Sequence, residues 1–495
     1  MVVKVAVLVV NLMIFNVPIK QYVKNKTLIN FFSSGIQAIA VQVLGVVFFY
    51  IISLYLSKND FGLISWANAV SIFATTVLSF GLEQIVVRRV ASSSSSDWAA
   101  AAYLWHALIG STITLLLLFC MYNFMSEPSS AIKYLLWFFI AQSVIYIGVP
   151  LKQYLNAKEI FTPYAIIAFF SNVCKVGLVL MLVYIQRLTI NNVAYILIIC
   201  AGIEFVSLII YIINKTDFHF LVKITAYKKL LKEAAPQYLS VLFDSSLSRM
   251  DWILLGVLST KAITADYSFA YRAYEIARLP LLVIAPLIMP KFARLLSSRN
   301  GLDTDKQSQI SSFFTIEMFL SIIITLVLNI LWSPFIDHVT NGKYGFSNSI
   351  EFMILSLCIP LQFFMNLLWT LCFTSRMYKP ISIITVVSAI GNIFMNLILI
   401  PLYKGEGAAL AYFFTTLFQL IGYYILVRKH IMSFPIISFG ILLVIGVIVY
   451  FVSSHIGQSV ILQVLLAVVL FTLISVALKQ ITKNHISILQ LYLKR

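Results

Sequence analysis

The sequence predicts an all-α polytopic membrane protein of about 14 transmembrane helices. They form two parallel six-helix bundles around a central cavity, plus an extra C-terminal helix pair. Three observations carry this prediction. First, 61% of the 495 residues are hydrophobic and 11% are charged, where a soluble domain carries roughly a quarter charged residues. Second, apolar runs repeatedly reach the about 20 residues needed to cross a hydrocarbon core about 30 Å thick. Third, basic residues collect in alternate loops. A soluble enzyme, a disordered chain and a disulfide scaffold are excluded on these grounds.

The apolar runs place the spans in order. The first six lie near Leu28–Leu56, Leu63–Val87, Trp98–Phe124, Tyr134–Leu151, Phe161–Ile185 and Val193–Ile213. The next six lie near Ala234–Leu258, Tyr267–Met289, Phe313–Trp332, Ile350–Phe373, Ile381–Pro401 and Ala408–Val427, and the extra pair near Ile436–Phe451 and Ser459–Leu478. Val5–Val17 is apolar but short, and no small-residue cleavage site follows it. It is expected to be interfacial, with a signal peptide as the alternative. The organisation is therefore an N-terminal segment (1–27), an N-lobe (28–213), a basic cytoplasmic linker (214–233), a C-lobe (234–430), and a helix pair with a basic tail (431–495).

With the N-terminus inside, 25 of the 35 basic residues fall in inner loops, 6 in outer loops (Lys58, Lys133, Arg187, Lys261, Lys343, Lys404) and 4 inside spans. A miscounted helix would scramble that bias, so it supports the span count and places both termini in the cytoplasm. The net charge of +17 then reflects topology, and nucleic acid is not an expected partner. The five-serine run Ser92–Ser96 reads as a flexible connector.

Chemistry is sparse. There is no G-x-x-x-x-G-K-[ST] phosphate loop, the six histidines have no zinc spacing, and the five cysteines form no C-x-x-C pair. No cofactor is implied, and the outer loops offer only isolated acids, so catalysis has no visible home.

What remains is charge inside the membrane, where an ionisable residue costs about 2.5–3.5 kcal/mol on insertion scales. Four bases lie within spans: Lys175, Arg249, Arg272 and Arg278. Ala168, Ser171, Asn172 and Lys175 share one face of the fifth helix. Arg272, Glu275 and Arg278 follow along the eighth. On the seventh, Asp244, Ser248 and Asp251 share a face, with Arg249 some 140–160° away at about 100° per residue. One explanation is internal ion pairing, for which Glu204, Asp244, Asp251, Glu275 and Glu317 supply enough acids. The other is a hydrated, partly cationic cavity with substrate-binding bases and charge-pairing or ion-coupling acids. The clustering on the seventh and eighth helices favours the cavity, and Pro236, Pro280, Pro286 and Pro290 bracket both helices. Tyr271 and Tyr274 could stack on sugars, although core packing is the expected role.

An internal repeat accompanies this pattern. Leu56-Ser57 with Asp60-Phe61-Gly62 parallels Leu258-Ser259 with Asp266-Tyr267-Ser268, and each following helix exits to a basic end. Six helices separate the units, so they run the same way through the membrane.

Asp251-Trp252-Ile253-Leu254-Leu255-Gly256, Asp266-Tyr267-Ser268-Phe269-Ala270 and Met289-Pro290-Lys291-Phe292-Ala293 resemble the central signature of polysaccharide flippases. Asn392-Ile393-Phe394-Met395-Asn396, Leu399-Ile400-Pro401, Gly405-Glu406-Gly407-Ala408-Ala409 and the opening Leu56–Gly62 and Gly81-Leu82 stretches add to it. The resemblance covers about Leu28 to Val427 and points to the multidrug/oligosaccharidyl-lipid/polysaccharide exporter superfamily, within it the Wzx-type O-antigen or repeat-unit flippases. Ala265 departs from a glycine common there. The resemblance implies movement of a polyprenyl-diphosphate-linked oligosaccharide, such as an undecaprenyl-diphosphate lipopolysaccharide O-antigen unit, across the bacterial inner membrane by alternating access. Partners would be that lipid, membrane lipid and a polysaccharide polymerase. The rival readings are a MATE-type cation-coupled drug exporter, a peptidoglycan-precursor flippase, and a membrane polymerase or ligase.

Overall fold

The computed structural model describes residues 26–92, 97–124, 130–220, 224–296, 304–456 and 459–482. The apolar Val5–Val17 stretch and most of the serine run lie outside them. All regular structure among the described residues is helical. The first seven helices are α1 (Lys26–Tyr55), α2 (Lys58–Ser79), α3 (Leu82–Ser92), α4 (Trp98–Phe124), α5 (Ser130–Ala157), α6 (Phe161–Tyr184) and α7 (Ile190–Lys215). The next four are α8 (Ile224–Leu258), α9 (Lys261–Ala277), α10 (Leu279–Leu296) and α11 (Thr304–Thr340). The last four are α12 (Ser349–Thr374), α13 (Tyr378–His430), α14 (Ile436–Ile456) and α15 (Val460–Ala477).

Ten of the described helices are long and apolar enough to cross a membrane, and the chain is a multi-pass membrane protein. Where the expected spans differ from these ten, the reason is local. α13 covers two of them: Lys404 breaks it at φ 53°, ψ −122°. Asn392 Nδ2 then donates to Thr415 Oγ1 at 3.2 Å, although the two are 23 residues apart. In a straight helix that separation would be about 35 Å at 1.5 Å per residue, so α13 doubles back on itself. α8 is interrupted in apolarity by Asp244, Arg249 and Asp251. The expected eighth helix is broken into α9 and α10, which meet at Arg278. Pro280 suits that break, because a first-turn proline lacks only an N–H that a helix start leaves unpaired anyway.

α2 and α9 begin alike. Ser57 and Thr260 are extended N-caps whose hydroxyls accept from the backbone N–H of Asp60 and Ile263, satisfying donors that a helix start otherwise leaves open. These caps align Lys58 with Lys261, three residues away from the register read off Asp60 and Asp266. Both second helices of the repeat are then interrupted, α2/α3 at Phe80–Gly81 and α9/α10 at Arg278.

α2 packs on α5 on one side and on α8 and α9 on the other. α13 packs on α12 and α8, while α14 and α15 pack on each other and on α11. Gly62 makes the α2–α9 approach, since a Cβ there would sit 1.7 Å from the Lys261 carbonyl oxygen. The turn after α11 locks α1 in place. Lys343 Nζ donates to the Ser53 carbonyl at 2.6 Å and the Leu54 carbonyl at 3.1 Å, a cation on a helix C-terminus. Tyr344 stacks on Phe269 at 4.3 Å.

Candidate functional site

A cavity of about 380 Å³ opens between the α2–α3 junction and α8. Thr76, Ser79, Glu83, Gln84, Gln237, Asp244, Ser245, Ser248 and Arg249 line it, with Ile72, Gly81 and Val241 completing the wall. So many polar groups within spanning helices require water or a polar guest. On α8 the lining residues recur three and four apart, the spacing of one helical face.

Contacts between the two halves of the chain flank the cavity, one set beside it at α3 and another farther off at the start of α2. At the end expected to be cytoplasmic, Phe80 stacks on Tyr238 at 4.5 Å and 20°. Gly81, at φ 68°, lets that stack form: a Cβ there would lie 3.1 Å from Tyr238 Cα, and the left-handed conformation itself disfavours a side chain. Gln237 donates to Gln84. Glu233 accepts from Arg89 Nε at 2.7 Å and is paired with both Arg88 and Arg89. Burial alone would raise the Glu233 carboxyl, but hydrogen bonds from Arg89 and Arg88 hold it below the ordinary carboxylate range. At the opposite end, Lys58 Nζ donates to Asp266 Oδ1 at 2.7 Å and to Ser347 Oγ at 2.8 Å. Ser347 Oγ also donates to Asp266 at 2.8 Å, and Asn348 Nδ2 donates to the Asp266 carbonyl at 3.0 Å.

The four intramembrane bases do not gather at one point. Arg249 lines the cavity, its guanidinium 5.1 Å from the Trp252 ring. Lys175 and Arg272 rest against α1, over Phe48 at 5.8 Å and Phe49 at 5.5 Å. Arg278 sits over Tyr274 at 5.2 Å and donates to Tyr412 at 3.4 Å.

Ion pairing accounts for one of the four. Arg272 donates to Glu275 at 2.7 Å, while no ion pair joins Lys175, Arg249 or Arg278 to an acid among the described residues. Glu204 pairs with Lys152 at 2.6 Å and not with a span base. Asp251 is buried and accepts from the Tyr267 hydroxyl and the Trp252 N–H. It therefore faces the core, and the expected face of Asp244, Ser248 and Asp251 is corrected: Asp244 and Ser248 share the cavity with Arg249. Arginine's length and the neighbouring Ser245 position bring it round to that side. Glu317 is buried with neither carboxyl oxygen hydrogen-bonded among the described residues.

The Ala168–Lys175 stripe lies on α6 and packs against α7, where Ser171 Oγ donates to the Cys200 carbonyl at 3.1 Å, while Lys175 Nζ donates to Asn172 of its own helix at 3.1 Å. Tyr271 and Tyr274 are buried in a cluster with Tyr412, edge to face at 5.4 and 5.6 Å, and do not line the cavity.

Sequence reasoning missed Glu83, Gln84, Gln237 and Glu233. Glu83 and Gln84 directly follow the Gly81-Leu82 stretch, and an acid and an amide at the end of an apolar run were the available signal. Glu233 carried none, because its partners lie 144 and 145 residues away.

The profile described as polysaccharide biosynthesis protein matches residues 27–296, more than half of the sequence. The chain belongs to that family. Among curated proteins, none matches the sequence. Among solved structures, "Lipid II flippase MurJ, inward closed conformation" is similar at TM-score 0.71 and 16% identity, covering 89% of this chain and 97% of that one. A multidrug resistance MATE family transporter of the MOP superfamily, in an inward-facing conformation, is similar at TM-score 0.63 and 13% identity, covering 78% and 95%. A MOP superfamily transporter from Pyrococcus furiosus gives 0.54 and 12%, covering 80% and 94%. At these identities the likeness shows the fold alone.

Proposed function

We propose that this protein is a repeat-unit flippase of the Wzx type, carrying a polyprenyl-diphosphate-linked oligosaccharide, such as an O-antigen unit, from the inner to the outer leaflet of a bacterial inner membrane. The observation that carries the reading is a polar cavity with Arg249 in its wall, free of any carboxylate pair among the described residues. A guanidinium fork matches a phosphate with two parallel hydrogen bonds, and family membership directs attention to a saccharide-linked diphosphate. Thr76, Ser79, Gln84, Gln237 and Ser245 offer the hydroxyls and amides that a glycan needs. Arg278, which lies within electrostatic reach of Asp244, supports the site from behind. The Arg272–Glu275 pair and Lys175 form a reserve along α1. Asp244 repels the diphosphate from one side of the cavity and serves as the exchange partner for Arg249.

On this reading, alternating access works by parting the Glu233 and Asp266 contacts in turn. A cavity of about 380 Å³ is at the low end of the roughly 300–1,000 Å³ that holds one small ligand. An oligosaccharide diphosphate therefore enters only when the Glu233 end parts, and leaves when the Asp266 end parts. With both termini cytoplasmic, the Glu233 end faces the cytoplasm, and a potential negative inside favours export by about 2.3 kcal/mol per uncompensated charge per 100 mV. A polymerase receiving the lipid on the far side would contact the Asp266 end.

The test is flipping of a labelled polyprenyl-diphosphate oligosaccharide in proteoliposomes. Movement of that lipid supports the proposal, and organic-cation efflux without lipid movement overturns it.

A further inference from the structure

A second cavity, of about 670 Å³, is apolar and lies beside the first. Leu78 and Phe80 form one wall, Trp105, Ile109 and Ile113 of α4 another, and Tyr227 of α8 the third. Resting on the flippase reading above, we propose that this groove seats the isoprenoid chain of the lipid-linked substrate while its charged head occupies the polar cavity across the Leu78–Gly81 turn.

Three observations lead there. Among the described residues, the side-chain polar atoms that line the groove are already engaged with protein partners, which suits an apolar guest. Trp105 Nε1 donates to the Phe220 carbonyl at 3.0 Å. His106 Nε2 donates to the Leu78 carbonyl at 2.6 Å, and its Nδ1 accepts from the Tyr227 hydroxyl at 2.7 Å, since a carbonyl only accepts. Second, the groove is open on the side where α4 presents Trp105, Ile109 and Ile113, each about half exposed, which in this membrane protein is the lipid side. Third, groove and cavity share one wall. Val77, Leu78 and Phe80 line the groove, while Ser79 and Gly81 line the cavity. The left-handed backbone at Phe80 and Gly81 produces that switch of sides, which a continuous helix at 100° per residue would not.

A lipid whose hydrocarbon is joined directly to a charged head needs such adjoining compartments. The Phe80 ring against Tyr238 forms the partition between them, and its parting lets the head pass into the cavity while the tail stays in the groove. A phospholipid chain would also wet an apolar groove, but only the substrate's own chain has to end at this partition.

The test uses the full chain in proteoliposomes and a polyprenyl-diphosphate oligosaccharide carrying a photoreactive group on its tail. Adducts should map to Trp105, Ile109 and Ile113 and be competed by the unlabelled lipid but not by added phospholipid. Adducts confined to other faces, such as α14 and α15, or equal competition by phospholipid, would overturn the proposal. A second readout is the ratio of flipping rates for long-tailed over two-isoprene substrates. Ile109→Trp with Ile113→Trp, at exposed positions, should lower it about tenfold, the loss from displacing as few as two methylenes. An unchanged ratio contradicts the groove. If the unmodified protein flips neither lipid, the flippase reading fails, while the adduct map still decides where the tail binds.

Discussion

Replacing Asp266 by Asn removes the charge that Lys58 contacts but keeps the shape of the side chain. The pair joins the starts of the two repeat units, and the two side chains are 26% and 14% exposed. A fully exposed pair contributes about 0.2–1 kcal/mol, and a hydrogen bond to a charged group about 1.5–3 kcal/mol. This mostly buried pair falls between, at about 1–2 kcal/mol for closure of that end. At 1.4 kcal/mol per factor of ten, the open population should rise about 5- to 30-fold. The assay is the rate at which a membrane-impermeant maleimide, added from the Asp266 side of sealed vesicles, reacts with Ser245→Cys in the cavity. Lys58→Gln should raise that rate by a similar factor, and the double variant should add little more, because both act on one contact. A change under about twofold in either variant, or additive effects, would refute the gating role of the pair.

Further outcomes follow from the structure. Glu233→Gln should raise labelling of Ser245→Cys from the opposite side by about fivefold, the effect of about 1 kcal/mol. Because the folded Glu233 carboxyl titrates below its ordinary value of 4.5, the Arg88–Arg89 closure is fully present above that value and is lost as pH falls through the depressed one. The same rate in the unsubstituted background should therefore be flat from about pH 6 to 8. Gly62→Val should hold α2 off the Lys261 backbone and open the Asp266 end; unchanged labelling there would contradict the close approach. Glu317→Leu removes a buried carboxyl with no hydrogen bond among the described residues and should raise the thermal midpoint in detergent, in line with about 1–3 kcal/mol for an unsatisfied polar group. A lower midpoint would show that the carboxyl has a stabilising partner.

The fold was legible because a bilayer demands about 20 apolar residues per helix, and that demand writes itself into contiguous sequence. The turn at Lys404 was readable from Pro401 and Gly405 between two apolar runs. The break at Arg278 was half readable, with Pro280 as its only marker. The α2–α3 break was not, since Phe80-Gly81 continues an apolar stretch and only the approach of Tyr238, far away in the chain, makes it a partition. Site residues followed the same division. Charges in spans flag themselves by their cost, so Arg249 and Asp244 stood out. Their arrangement did not: a periodicity argument put Asp251 in the cavity and Arg249 behind it, whereas the Tyr267 hydroxyl draws Asp251 into the core. Arg88 and Arg89 were legible as topological charges but not as a gate, because Glu233 meets them only after folding.

The most direct test compares flipping of the labelled polyprenyl-diphosphate oligosaccharide by the unsubstituted protein, Arg249→Ala and Arg249→Lys, each reconstituted to equal folded amounts. The account predicts loss of at least about tenfold in the alanine variant and partial recovery in the lysine variant, which restores charge without the fork. Undiminished flipping by Arg249→Ala would contradict the cationic cavity and return this arginine to helix packing.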